Sequence, residues 1–315
     1  YLNTRYEFDP KLYPEMPQDV PMGIYRKLIN IDNIDKVHII TFLGVISSLD
    51  LYVNGKFVGY SEGAHNSAEF DISKYLVKGE NEIVASVSKW STATYLECQD
   101  MFRENGIFRD VLLSEYDNTY LYDIGIETEK VNGKYNLTVE SDVKGDTTGY
   151  TVEVCLVDKD KTIAKGESSA ENATLTFEEL DVVEWNAEEP YVYDLFVTLK
   201  KDGEGVTFVK NITGFKNVEI KGNVFYFNGM PIKFKGVNHH DTNMHNGYVL
   251  KGEEIKSEME LMKKFNVNSI RTSHYPPDPI LLTLADVMGF YIVDEADIET
   301  HGAGDITVPY DNCLI

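Results

Sequence analysis

Cysteine is scarce: Cys98, Cys155 and Cys313 are the only three, odd in number and widely spaced. That excludes a disulfide framework and a zinc-ligand spacing, and it favours a reducing compartment. Long apolar runs are missing too, and none approaches the ~20 residues a membrane helix requires, so no membrane partner is expected. Basic residues are in deficit, 29 Lys and Arg against 52 Asp and Glu, a formal charge of −23. Such a surface repels nucleic acid and anionic lipid and suits a neutral or cationic small molecule. Neither G-x-G-x-x-G nor G-x-x-x-x-G-K-[ST] follows any strand-like segment, which argues against nucleotide chemistry. The sequence opens on Tyr1 rather than Met. A true N-terminus and any signal peptide are therefore left open, and a cytoplasmic location is only the default expectation.

What is present is enough apolar material for real cores: 43% hydrophobic and 12% aromatic residues in a chain of 315. That length predicts two or three domains. Residues 1–116 read as all-β. "LDLYVNGKFVGY" places two alternating runs around Asn54-Gly55, the pair that suits a type I′ hairpin turn. "AEFDISKYLVKGENEIVASVSKW" repeats the scheme, with Gly79-Glu80-Asn81 expected as a turn and Glu82 to Val87 as a strand. The rhythm suggests a jelly-roll sandwich. Residues 117–215 carry short strands such as "YTVEVCLVD" and "YVYDLFVTLKKDG", separated by Gly, Asp and Asn. About seven strands in roughly 100 residues is the rhythm of an immunoglobulin-like β-sandwich.

From residue 216 to 315 the pattern changes. "NVFYFNGMPIKFKGVN" is a hairpin ending in a strand, and Ile255, Met259 and Met262 fall on one face of a helix. "NVNSIRTS" is a strand, "PDPILLTLADVMG" a helix opened by Pro279 and stopped at Gly289, and "FYIVDEAD" a buried strand. This is a βαβ series, which a β/α barrel or a doubly wound open sheet would both produce, the missing phosphate-cradling loop speaking against the second. Each strand ends in a polar cluster: Asn238-His239-His240-Asp241, then Arg271, Ser273, His274 and Tyr275, then Asp294, Glu295, Asp297, Glu299 and His301. In such a barrel the C-terminal strand ends share one face, where active sites are built. Two uses stay open on chemistry alone: oxygen and imidazole ligands for a hard cation, or paired carboxylates working on a glycosidic bond. On the plainer reading Asp294 caps a turn, Arg271 and Glu295 form a buried ion pair on the barrel floor, and His245 lies on the surface.

"NSIRTSHYPPDP" resembles the N-x-[apolar]-R-[small]-[small]-H-Y-P motif of the family 2 glycoside hydrolases. "VDEADIETHG" is similar to the D-E-x-N-x-E-T-H-G stretch of their large bacterial β-galactosidases. "FKGVNHHD", "KWSTATYLECQDMFRENGIFRDV" and "YLNTRYEF" carry the same likeness over nearly the whole chain. The resemblance implies a jelly roll, an immunoglobulin-like domain and then the first βα units of a catalytic (β/α)8 TIM barrel. It also implies hydrolysis of terminal β-D-galactosides such as lactose, with retention. Glu299 and His301 match ligands of an active-site Mg²⁺. Asp100 matches an aspartate that binds galactosyl hydroxyls and Na⁺, and Asn3 an asparagine of the same pocket. His240 and His274 match histidines that touch the galactosyl group and support the transition state. Phe102 stands where tryptophan is usual, Cys98 where an acid is common, Asp297 for asparagine and His239 for arginine. The family's acid/base and nucleophilic glutamates have no counterpart before Ile315. The chain is therefore expected to be an N-terminal portion, inactive alone, its barrel completed by the same or another chain and its parent a homo-oligomer. The rival expectations are a family 2 enzyme of other specificity, such as β-glucuronidase or β-mannosidase, and a non-catalytic carbohydrate-binding protein.

Overall fold

The computed structural model describes residues 15–300. Its first unit is a sandwich of two antiparallel sheets. One has the order Met22–Ile31, Gly79–Ser88, Ser48–Val53, Lys56–Glu62, and the other Val111–Tyr116, Val37–Phe42, Ala68–Asp71. Alternation puts Leu49, Leu51 and Val53 inward on one sheet and Ile40 and Phe42 on the other, around a shared core. Burying each such side chain is worth ~1.5–3 kcal/mol. Asn54 and Gly55 turn the hairpin at φ 50° and 73°, as their identity predicts.

The expected turn at Gly79-Glu80-Asn81 is a correction. These residues already belong to the strand Gly79–Ser88, facing Ile31, Asn30 and Ile29 across the ladder. The chain reverses one step earlier, and the buried Asn81 amide holds the reversal. It donates to the Val77 and Gly79 carbonyls and accepts from the Val77 N–H. The side chain does the work a turn backbone would otherwise do.

The second unit packs the sheet Tyr120–Val131, Lys134–Lys144, Thr174–Leu180 on the sheet Lys161–Ser169, Tyr150–Asp158, Tyr193–Lys201, Glu204–Thr213. Leu137, Val139, Leu156, Leu195 and Leu199 fill the space between them. Cys155, between the inward-facing Val154 and Leu156, is a free, partly buried thiol on the outer face of its strand.

A hairpin, Val218–Lys221 with Val224–Phe227, opens the third unit. Three parallel strands follow, Gly236–His239, Ser269–Thr272 and Tyr291–Val293, in spatial order of sequence. The helices Gly252–Lys264 and Pro279–Met288 connect them. Ile255 and Met259 seat the first helix on Ile270, with Met262 at the margin, as the spacing predicts. The Glu254 carboxylate reaches back to the Lys251 N–H at 2.9 Å. Asp278 caps the second helix by accepting from Ile280 N–H at 3.0 Å, Pro279 begins it, and Gly289 ends it at φ +80°. Val293 is 42% exposed, against the expectation of a fully buried strand, because its strand has a neighbour on one side only among the described residues. Trp185 joins the second unit to the barrel: its indole N–H donates to the Asp286 carbonyl at 2.7 Å, and its ring packs against Phe227 and Tyr291.

Candidate functional site at the strand ends

Parallel register sets the C-terminal strand ends side by side, with His239 opposite Thr272 and Arg271 opposite Val293. Side chains alternate, so Ile270 and Ile292 pack on the helices while Arg271 takes the other face. Beyond the strand ends, the His240 and His274 rings meet edge to face, with centroids 5.5 Å apart. His274 Nδ1 lies 3.4 Å from Glu295 and 3.3 Å from the Arg271 guanidinium, which itself pairs with Glu295. The Arg271–Glu295 pair is thus real, but it is half-buried and sits at the rim beside His274 rather than buried on a floor. Asp294 serves locally, accepting from the Thr272 hydroxyl and the Glu295 N–H. His245 is exposed.

The adjacent histidines are electrostatically opposite. Burial works against a charge on His239, but the Asp241 and Glu258 carboxylates outweigh it and hold its pKa above the ordinary histidine value. Burial, then the His274 and His239 rings, pushes His240 below that value. The Asp100 carboxylate pulls His240 the other way without reversing the shift. His240 Nδ1 stands 3.3 Å from the Tyr275 hydroxyl, which also accepts from the Asp241 N–H at 3.1 Å.

The first sandwich supplies the rest through an arm at residues 97–104. Backbone pairing sets Glu299 beside Glu97 and Thr300 beside Cys98 in a short parallel ladder between sandwich and barrel. Arg103 stiffens the arm by donating to the Glu97 and Gln99 carbonyls. The loop after the first barrel strand grips it from the other side: Tyr248 N–H donates to Glu104 at 3.0 Å and the Tyr248 hydroxyl to the Phe102 carbonyl. Glycine suits position 247 at that grip, since its φ of +61° is left-handed and a Cβ there would push the Glu104 carboxylate aside. Phe102, at the tryptophan position of the likeness, leaves its ring half exposed.

Three residues the sequence reading passed over hold this interface. Arg109 donates to the His65 carbonyl, the Pro276 carbonyl and the Asp241 carboxylate, at 3.0, 2.9 and 3.3 Å. Burial raises the Asp241 pKa, but His239, the Asp278 N–H and Arg109 together hold it below the usual carboxylate range. His65 meets Asp297 twice, by its N–H at 3.1 Å and by Nδ1 at 2.9 Å, and Gln99 donates to the other oxygen. The available signal was the departure at Asp297. A carboxylate in place of an amide needs a donor, and a loop histidine is one.

Of the expected site residues, His240 and His274 meet here, Asp100 is an exposed residue of the arm, Glu299 is placed by its backbone, and Asn3 and His301 lie outside the described residues. Among the described residues no three His, Cys, Asp or Glu side chains are arranged to hold a metal ion. Burial, then the neighbouring Asp297, pushes the Glu97 carboxyl up to about 8.

Three family models match the chain in succession. The sugar binding domain of glycosyl hydrolases family 2 covers residues 1–117, the central family 2 domain 119–216, and the family 2 TIM barrel domain 218–311. The chain belongs to glycosyl hydrolase family 2. This family 2 chain is 38% identical to a β-galactosidase of Actinobacillus pleuropneumoniae over 98% of its length. It is 38% identical to one of Staphylococcus xylosus over 96%. It spans 30% of the length of each of these relatives. The fold matches that of a Bifidobacterium dentium β-glucuronidase complexed with coumarin-3-O-glucuronide. There the TM-score is 0.80 at 22% identity, over 88% of this chain and 53% of that one. Among the described residues no helix is long and apolar enough to cross a membrane.

Proposed function

We propose that this chain is the amino-terminal portion of a retaining β-galactosidase that hydrolyses terminal β-D-galactosides such as lactose. The observation that carries the reading is the meeting of the His240 and His274 rings at the barrel strand ends, beside the arm that the first sandwich pairs with the barrel. The identity to named β-galactosidases over nearly the whole chain supports it. With Nδ1 near the Tyr275 hydroxyl, a neutral His240 offers Nε2 to a sugar hydroxyl, and a ring kept uncharged by burial does not repel an oxocarbenium-like transition state. Glu299 and His301 would hold Mg²⁺ and Asp100 Na⁺, cations that supply charge balance and sugar orientation. The acid/base and nucleophilic glutamates are assigned to barrel segments outside this sequence, and the assembled parent to a homo-oligomer.

The second reading, a β-glucuronidase, rests on fold likeness. Arg271 is already neutralised by Glu295, which leaves that guanidinium a poor partner for a substrate carboxylate. The test is hydrolysis of 2-nitrophenyl β-galactoside and of the matching β-glucuronide by the full polypeptide that carries this sequence and by the 315-residue chain. Galactoside turnover by the full polypeptide alone is expected. Turnover of the glucuronide in its place refutes the specificity, and turnover by the 315-residue chain refutes the division of the site.

A further inference from the structure

We propose that His65 of the first sandwich is a positioning residue that sets both halves of the rim at once. It holds the Asp297–Thr300 segment through its N–H groups and the His240 side through its ring. Its side chain is 1% exposed and that of Asp297 2%, so the contact is made away from solvent. Two donors from one residue converge on the same carboxylate oxygen, from the backbone N–H at 3.1 Å and from Nδ1 at 2.9 Å. Because Asp297 stands two residues before Glu299, this latch sets where the Glu299 backbone enters the ladder with Glu97. The opposite function belongs to the ring face. His65 stacks on Tyr275 with centroids 3.9 Å apart and planes 9° from parallel, and the Tyr275 hydroxyl meets His240 Nδ1. Phe108 and Tyr248 close on the edges of the His65 ring, which fixes its tilt. Arg109 fixes its backbone by donating to its carbonyl.

Two substitutions separate the functions. His65→Asn keeps a side-chain donor near the Nδ1 position and loses the stack, whereas His65→Phe keeps the stack and the backbone N–H but loses the ring donor. The effect on turnover rests on the galactosidase reading, but the latch itself does not, so one measurement is made without substrate. In the 315-residue chain, hydrogen exchange at 297–300 is expected to speed at least tenfold in His65→Phe and to stay slow in His65→Asn. Asp297→Ala should behave like His65→Phe. Asp297→Asn should restore protection, because its amide oxygen still accepts from His65 and Gln99 can turn its unpaired, buried Oε1 to meet the new NH₂. In the full polypeptide, His65→Phe is expected to lower kcat about 10- to 100-fold with little change in KM, since a small misplacement near the reacting groups acts on the barrier. His65→Asn is expected to raise KM for the galactoside several-fold through His240. Equal exchange at 297–300 in wild type, His65→Phe and Asp297→Ala overturns the proposal. So does an identical kcat loss in both His65 variants at unchanged KM, which is the mark of general loosening. A wild-type polypeptide without galactoside turnover sinks the functional reading and leaves the exchange result to decide the latch. Should His65→Phe fail to fold, the Asp297→Ala and Asp297→Asn pair decides it.

Discussion

His65 lies flat on Tyr275, a residue of the first sandwich stacked on a residue of the barrel rim, with ring centroids 3.9 Å apart. Neither domain core contains this contact. Tyr275 is 1% exposed, and its hydroxyl accepts from the Asp241 N–H. Tyr275→Phe keeps the stack and orphans that buried amide, an expected loss of ~1–3 kcal/mol in denaturant unfolding. An unchanged midpoint would mean that the amide finds another partner.

Arg109 bridges the same interface with a guanidinium 4% exposed, against an Asp241 side chain 7% exposed. Arg109→Ala strips a buried carboxylate of its cation and frees two carbonyls, so a destabilisation of ~3–5 kcal/mol is expected. Arg109→Lys cannot reproduce the fork and should recover less than half of that. Full recovery by lysine in thermal or urea unfolding would show that charge alone, not geometry, holds the interface.

His239 and His240 should give opposite pH signatures. His239 has a raised pKa in the folded state, where Asp241 and Glu258 outweigh burial. Its contribution is fully present below the unfolded value of 6.5 and is lost as pH rises through the folded pKa. His240 is lowered by burial and the nearby rings, so its contribution is present above 6.5 and is lost as pH falls through the folded pKa. His239→Gln should therefore cost more stability at pH 5.5 than at 8.5, and His240→Gln more at 8.5 than at 5.5. Ring-proton titrations with both histidines shifted the same way would contradict this.

Gly289 ends the second barrel helix at φ +80°, and a Cβ there would stand 2.4 Å from the Ala187 carbonyl oxygen. Lys263 donates to both the Ala187 and Gly289 carbonyls, so the helix end is part of the joint between second domain and barrel. Gly289→Ala is expected to lose at least ~1–2 kcal/mol from the left-handed backbone alone. A melting temperature equal to wild type would refute the close approach.

The three-region architecture was legible because its causes are local. Alternation in "LDLYVNGKFVGY", the Asn54-Gly55 turn and the Ile255–Met259–Met262 stripe each act over a few residues, and each leads to the element it specifies. His240 and His274 were legible for a related reason, since register alone places strand ends side by side. The reversal before Gly79 was misread because Asn81 anchors it from inside the strand, and a side-chain bond to the backbone leaves no turn motif. Val293 was misread because burial depends on which strands stand beside it, a fact that lies outside its own segment.

Strands, helices, caps and the motifs of the rim follow from periodicity and short-range chemistry, and could be read along the chain. That His65 meets Asp297, 232 positions away, and that Arg109 closes on Asp241, 132 positions away, is visible in the folded molecule alone. A buried ion pair or hydrogen bond between domains is specified by desolvation and close distance. Both arise only when two surfaces have already been brought together by cores that do not contain these residues.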